Sequence, residues 1–221
     1  MTGDGGPPGG RSDLRGAGER WVRRRWRRGP GPFLRAASVL YGLGAGLRGA
    51  LWEVGVLAPE RATVPVVSVG GLTAGGSGKT PLTAELARRL APEGRIGVAT
   101  HGYPDEMAVH RILDPGAVVR GHRRLGRAVA AAAADGAELV IVDGGFQHRR
   151  LWRDADVVAV SADVAAAGPA RRLPAGPFRE RWGALGRADA VVVTRREADG
   201  GIARRLAEWL RGALPGTSVA R

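Results

Sequence analysis

P-V-V-S-V-G-G-L-T-A-G-G-S-G-K-T-P, residues 65–81, decides the architecture. An apolar run, Val66–Val69, enters a glycine-rich loop. Lys79 and Thr80 follow, and Pro81 opens a helix where its missing N–H costs little. Gly75, Gly76 and Gly78 let the backbone curl so that several amides point at one anion, and the helix N-terminus adds its dipole. Thr73, Ala74, Gly75, Gly76, Ser77, Gly78, Lys79 and Thr80 are therefore read as a phosphate loop for a nucleoside triphosphate. Lys79 would neutralise the β- and γ-phosphates, and the Thr80 hydroxyl would ligate Mg²⁺. The pattern G-x-x-x-x-G-K-[ST] is missed only at its first place, which holds Thr73.

Lys79 is the only lysine among 34 basic residues. The arginine preference, with abundant Ala and Gly, most simply reflects a GC-rich genome. The exception is informative, because a compact ammonium on a thin stem fits inside a loop of backbone amides and a planar guanidinium does not.

Working outward from the loop, β-rich apolar runs alternate with helical segments. The expected strands are Val66–Val69, Ile96–Thr100, Leu139–Asp143, Val157–Val160 and Ala190–Thr194. The expected helices are Pro81–Leu90, Arg123–Ala134 and Glu197–Arg211. Near-continuous apolar strands suit a parallel sheet covered on both faces. Alternation with helices makes this a three-layer α/β fold of the P-loop NTPase kind, with a mostly parallel sheet.

The chain divides into three parts. Residues 1–30, Gly/Pro-rich and ending in W-V-R-R-R-W-R-R, have no apolar core and read as a disordered basic tail. No apolar h-region follows those arginines directly before a small-residue cleavage site, so the tail does not read as a secretory signal. Trp21 and Trp26 among arginines suit an anionic lipid surface or nucleic acid, or are simply solvated. Residues 31–60 carry an apolar stretch interrupted by Arg35, Arg48 and Glu53. Its longest uncharged run, 36–47, is too short to span a bilayer, so an amphipathic helix at the membrane interface is expected. Residues 61–221 form the nucleotide-binding domain.

The bulk numbers narrow the chemistry further. With no cysteine, disulfides and thiolate metal sites are excluded. His101, His110, His122 and His148 lack paired zinc-ligand spacing. The net charge of +13 favours polyanionic partners: nucleic acid, an acidic membrane surface or a phosphorylated substrate.

Two further motifs carry chemistry. In L-V-I-V-D-G-G-F-Q-H-R-R, residues 139–150, Asp143 ends an apolar strand where a P-loop enzyme keeps the acid that holds Mg²⁺ or its water. An Asp capping a turn would look the same. In T-H-G-Y-P-D-E-M, residues 100–107, Asp105 and Glu106 are candidate general bases in a loop at the same sheet edge, though on the residues alone a solvated acidic turn is the favoured reading.

These motifs, in this order, resemble the tetraacyldisaccharide 4'-kinases of lipid A synthesis. Supporting context comes from L-Y-G-L-G-A-G (40–46), R-L-P-A-G-P-F-R-E (172–180) and A-D-A-V-V-V-T (188–194). The likeness covers about residues 32–195, and Thr at the loop's first position is itself the family's form. It implies transfer of the ATP γ-phosphoryl group to the 4'-hydroxyl of an acylated glucosamine disaccharide 1-phosphate. It makes ATP and Mg²⁺ the cofactors, and Lys79 and Asp105 the catalytic residues. Residues 73–80 would hold the nucleotide, and Thr80 with Asp143 the metal. It also implies a peripheral or monotopic protein at the cytoplasmic face of the bacterial inner membrane, meeting lipid substrate and anionic surface there. No protein partner is indicated, and nucleic acid is disfavoured.

The chain departs from the family's pattern. D-D-G-x-Q-H is D-G-G-F-Q-H, with Gly144 in place of a carboxylate, and R-G-Y-G is H-G-Y-P. The segment that normally parts R-G-Y-G from G-D-E-P is missing, so Tyr103 stands two residues from Asp105. The chain ends at Arg221, before the region where family members supply a catalytic histidine and complete the fold. Two other readings therefore stand: a homologue that binds ATP or lipid without turnover, and a basic P-loop protein whose tail binds nucleic acid.

Overall fold

A computed structural model of the chain describes Trp26, residues 29–167 and residues 170–221. The readings of residues 1–25, 27 and 28 lie outside these. The elements, in chain order, are α1 (Pro32–Glu53), β1 (Val66–Gly71), α2 (Lys79–Leu90), β2 (Ile96–Thr100), α3 (Pro104–Leu113), β3 (Val118–Gly121), α4 (Leu125–Ala134), β4 (Leu139–Asp143), β5 (Ala155–Ser161), α5 (Ala162–Ala166), β6 (Ala190–Thr194), α6 (Gly200–Ala213) and β7 (Ser218–Ala220).

The strands form one sheet in the order β3-β2-β4-β1-β5-β6-β7, and each neighbouring pair is parallel. Side chains on successive strand residues alternate between the two faces. On one face Val66, Val140 and Val142 pack with Leu125, Val129 and Ala132 of α4. On the other, Val69, Val98 and Ile141 pack with Ala87 of α2, and Leu82, Leu86 and Met107 close over them. A third apolar group joins β5 and β6 to Ala203, Ala207 and Leu210 of α6, around Phe146 and Phe178. Both faces are thus covered, which is why the central strands are nearly all apolar, Ser68 of β1 and Asp156 of β5 being exceptions.

β1 lies between β4 and β5. From β1 the chain passes through α2 to β2 on one side, and it later returns through β5 on the other. A crevice opens at such a reversal, beyond the carboxyl ends of the strands. The loop after β1 sits in it.

The structure corrects the expected element list in two ways. Short strands β3 and β7 extend the sheet at its edges. The acidic segment expected as a loop is the start of a helix, because Pro104 fits the first helical turn and Asp105 and Glu106 stand in that turn, where their charge suits the helix dipole.

Helix α1 runs for 22 residues, with Gly42 its one buried residue. It is held by side-chain-to-backbone bonds running in both directions. Ser38 Oγ donates to the Arg172 carbonyl at 3.0 Å, and Arg149 donates to the Gly49 carbonyl at 3.2 Å. Arg172 lies so close over Gly42 that a Cβ there would collide with the guanidinium. Away from those contacts, Phe33, Leu40, Leu43, Leu47 and Val54 remain open to solvent. Among the described residues, no helix is long and apolar enough to cross a membrane.

Candidate active site

The loop's conformation follows from its glycines. Gly75, Gly76 and Gly78 take φ values of +124°, +71° and +74°, in the region that residues with a Cβ rarely enter. Gly78 in the left-handed region is also the residue from which α2 begins at Lys79. The first amides of α2 therefore open into the loop, as an anion site requires. Thr73, which replaces the usual glycine, donates through Oγ1 to the Gly75 carbonyl at 3.0 Å and ties the loop across its mouth. Thr194 Oγ1, at the end of β6, donates to the Ser77 carbonyl at 2.9 Å.

The proline-bracketed segment at 172–180 gains a physical reason here. Thr73 pairs antiparallel with Phe178, Ala74 N–H donates to the Pro177 carbonyl at 2.9 Å, and Arg179 N–H donates to the Leu72 carbonyl at 2.7 Å. The segment is a brace laid along the entry of the phosphate loop. Spacing alone carried no hint of this, because the pairing partners are a hundred residues apart.

Lys79 Nζ donates to Ser77 Oγ at 3.0 Å. Burial pushes the ammonium below the ordinary lysine range; Asp143 pulls it back up, Arg179 lowers it further, and Glu106 raises it. A partly desolvated cation with this little compensation favours a bound polyanion. Thr80 Oγ1 donates to Asp143 Oδ2 at 2.8 Å, and His110 Nε2 lies 2.9 Å from the same oxygen. A hydroxyl and a carboxylate side by side are the hard oxygen donors that Mg²⁺ takes, with phosphates and waters completing its shell. Among the described residues no three His, Cys, Asp or Glu side chains gather into a metal cage. The donor set fits a metal held largely by nucleotide, not one held by protein alone.

The structure thus brings Lys79, Thr80 and Asp143 together from β1–α2 and β4. Asp105 is exposed in the first turn of α3. Its neighbour Glu106, also at the surface, is the carboxylate coupled to the cluster: desolvation raises its carboxyl above the ordinary value, and Asp143 adds to this. Sequence reasoning missed His110 and Arg179. His110 stands four residues after Glu106, a spacing that marks one helix face once a helix is recognised there. Arg179 sits within the brace, and its charge is felt by Lys79, His101 and Glu106.

Around the lost carboxylate, Gly144 adopts φ +82°, and a Cβ there would meet the His101 ring at ordinary contact distance. His101 and His148 pack edge to face with centroids 5.6 Å apart. Burial lowers both imidazoles below the usual histidine value; Arg179 adds to this at His101, and the His101 charge adds to it at His148.

On the β5–β6 side of the loop lies a cavity of about 330 Å³, lined by Gly75, Gly76, Asp163, Val164, Arg196 and Trp26 among others. Asp163 accepts backbone N–H bonds from Arg196, Glu197 and Ala198 at 2.7–2.8 Å, fixing the post-β6 loop to the start of α5. Trp26, read from sequence as part of a free tail, donates its indole N–H to the Pro174 carbonyl at 3.0 Å and walls this cavity.

Comparison with known proteins shows the family and the fold. A family model described as tetraacyldisaccharide-1-P 4'-kinase matches residues 31–117 and 110–214. The tetraacyldisaccharide 4'-kinase of Anaeromyxobacter sp. (strain Fw109-5) is 38% identical over 184 residues, covering 72% of this chain and 49% of that protein. The same enzyme of Anaeromyxobacter sp. (strain K) is 37% identical over 204 residues, covering 78% and 54%. Among solved structures, LpxK from Aquifex aeolicus in complex with ATP superposes with a TM-score of 0.65 at 30% identity, covering 72% of this chain and 57% of that one. The chain spans about half the length of the curated relatives it matches. With the family model matching across most of its length, over the phosphate loop, the Asp143 strand and the 172–180 brace alike, the chain belongs to the tetraacyldisaccharide-1-P 4'-kinase family.

Proposed function

We propose that this chain binds ATP with Mg²⁺ and transfers the γ-phosphoryl group to the 4'-hydroxyl of an acylated glucosamine disaccharide 1-phosphate. The observation that carries the reading is the Lys79–Thr80–Asp143 constellation at the carboxyl ends of β1 and β4, within a phosphate loop of the family's own form. Phosphoryl transfer needs little covalent help from a protein, and its barrier falls chiefly by positioning and charge neutralisation. The loop amides and Lys79 would hold the β- and γ-phosphates, while Thr80 and Asp143 would hold the metal. Bound Mg²⁺ would supply further neutralisation of charge on the transferring group. The 330 Å³ cavity beside Gly75 and Gly76 offers room for the nucleoside. Asp105, exposed at the head of α3, would take the proton of the acceptor hydroxyl, and Glu106 would add a small favourable field at Lys79 beside the larger one of Asp143. Arg179 adds a cation at the mouth where the acceptor's own phosphate would pass.

The exposed apolar stripe of α1 supports attachment at a membrane surface, where the acylated acceptor resides, and the net charge of +13 suits an anionic one. Peripheral attachment at the cytoplasmic face of the inner membrane is the arrangement that gives the site access to both ATP and lipid.

Two measurements test this. Lys79→Ala should weaken ATP binding by about a hundredfold or more, since it removes a charged partner worth roughly 3 kcal/mol; near-wild-type affinity in a nucleotide titration would sink the phosphate-loop reading. Incubating the wild-type chain with labelled ATP and the disaccharide acceptor should give labelled lipid. Intact ATP binding without labelled lipid would instead make the chain a binding module.

A further inference from the structure

We infer that His110 is a positioning residue for the metal-side carboxylate, locking Asp143 in place through the bond from its Nε2 to Asp143 Oδ2. The inference rests on the nucleotide-and-Mg²⁺ reading of the site and adds to it a residue that neither the family's motifs nor the sequence pattern singles out.

His110 has no exposed surface, and it lies on α3 one turn beyond Glu106. Its Nε2 is 2.9 Å from Asp143 Oδ2, the oxygen that also accepts the Thr80 hydroxyl at 2.8 Å. An ionised carboxylate only accepts, so Nε2 must carry the proton. Its Nδ1 then has no hydrogen-bond partner among the described residues. A buried ring nitrogen without a partner is unfavourable, and an apolar side chain of similar size would fill the place without it. The one hydrogen-bonded partner of His110 among the described residues is Asp143, with Glu106 acting on it only through its field.

The contact has a clear mechanical consequence. Rotation of a carboxylate about χ2 is soft, with broad wells. One bond from Thr80 restrains Oδ2 from a single direction, so χ2 can still drift. A second donor on that oxygen, arriving from a different element, pins Oδ2 from two sides and so sets where the other oxygen of the planar group lies. Such outer partners orient metal-side ligands and tune their affinity. Here the need is sharper because residue 144 is glycine, so Asp143 is the single carboxylate in the D-G-G turn. α3 thereby serves the site twice, with acids at its head and His110 bracing Asp143 from within.

The test uses the whole chain with Mn²⁺ as a paramagnetic probe and a non-hydrolysable ATP analogue. His110→Leu removes the donor and keeps the bulk; His110→Gln keeps an N–H at about the reach of Nε2. Mn²⁺ affinity of the nucleotide complex, read by electron paramagnetic resonance, should fall about tenfold or more in His110→Leu and return to within about threefold of wild type in His110→Gln. Metal-free nucleotide affinity should stay within about twofold in both, because the phosphate contacts are untouched. Wild-type Mn²⁺ affinity in His110→Leu overturns the inference, as does equal loss in both variants. Should His110→Leu fail to fold, His110→Asn replaces it: its shorter amide must lose the metal where His110→Gln keeps it, and equal affinities overturn the inference. A wild-type chain that binds no Mn²⁺–nucleotide complex would overturn the kinase reading itself, an outcome separate from these.

Discussion

Asp105 and Glu106 are adjacent carboxylates at the head of α3, yet their surroundings differ. Successive residues of a helix project about 100° apart. Glu106 is placed so that its charge acts on Lys79 and its carboxyl is raised, first by desolvation and then by Asp143. Both side chains are exposed, and the field of Glu106 reaches Lys79. A group that takes the acceptor's proton must be open to the acceptor, and of the two open carboxylates Asp105 is the one that matches the base of the family's D-E motif. Asp105→Asn should therefore lower kcat by about 10²–10⁴-fold and leave the KM for ATP unchanged. Glu106→Gln should change the KM for ATP and leave most of kcat. Steady-state kinetics on both variants checks this, and a collapse of kcat in Glu106→Gln alone would exchange the two roles. Lys79, Thr80 and Asp143 were legible from sequence because each sits at a fixed offset from a strand end. His110 was not, since its partner is 33 residues away and the contact exists only once α3 has docked.

Helix α1 is apolar on the side it exposes and attached by polar contacts on the side it buries. Its links to the domain run through Ser38, Gly42 and Gly49, while Leu40, Leu43 and Leu47 stand 65–70% exposed. The latter three recur at helical spacing and form one stripe. A water-facing stripe of leucines has no function within the domain, and moving each into an apolar phase would contribute roughly 1.5–3 kcal/mol. Replacing all three by Asp should leave the melting temperature nearly unchanged, since exposed substitutions typically shift stability by less than about 0.5 kcal/mol each. Sedimentation with anionic vesicles should drop at least about tenfold. Undiminished sedimentation would assign lipid binding to the arginines alone. Element by element, the sequence disclosed what its own period could show. β1, β2, β4 and β5 are largely apolar runs buried mostly on both faces, and β6 is apolar with one face buried and the other half-buried. β3 and β7 escaped notice because V-V-R-G and S-V-A are short edge strands with little apolar surface to display. α3 escaped because a Pro and two acids beside a glycine read equally well as a turn, and only docking against the sheet decides in favour of helix.

Across the whole molecule, the carboxyl edge of the sheet gathers basic groups: Arg179 acts on Lys79 and on His101, and His148 packs against His101. That arrangement suits polyphosphate, and it leaves a signature in stability without ligand. Burial lowers both imidazoles below the usual 6.5, with Arg179 contributing at His101, and at His148 with contributions from His101, Arg48, Arg153 and Arg150; Asp143 opposes the shift at His101. Between the folded-state values and about pH 6.5 the unfolded chain binds more protons than the native one, so stability rises with pH there. It is complete above that pH and is lost as the solution is acidified through the window. Glu106 works the opposite way, since its raised carboxyl takes up a proton earlier in the native state than in the unfolded chain. A double variant, His101→Gln with His148→Gln, removes the histidine part and leaves the glutamate part. Thermal melts of the ligand-free protein from pH 7 to pH 5 should therefore fall for the wild type and fall less for the double variant, about neutral pH being where the two agree most closely. Parallel melting profiles would mean that the two imidazoles titrate alike in the folded and unfolded chain, and that their packing against the site leaves them as free to take a proton as any surface histidine.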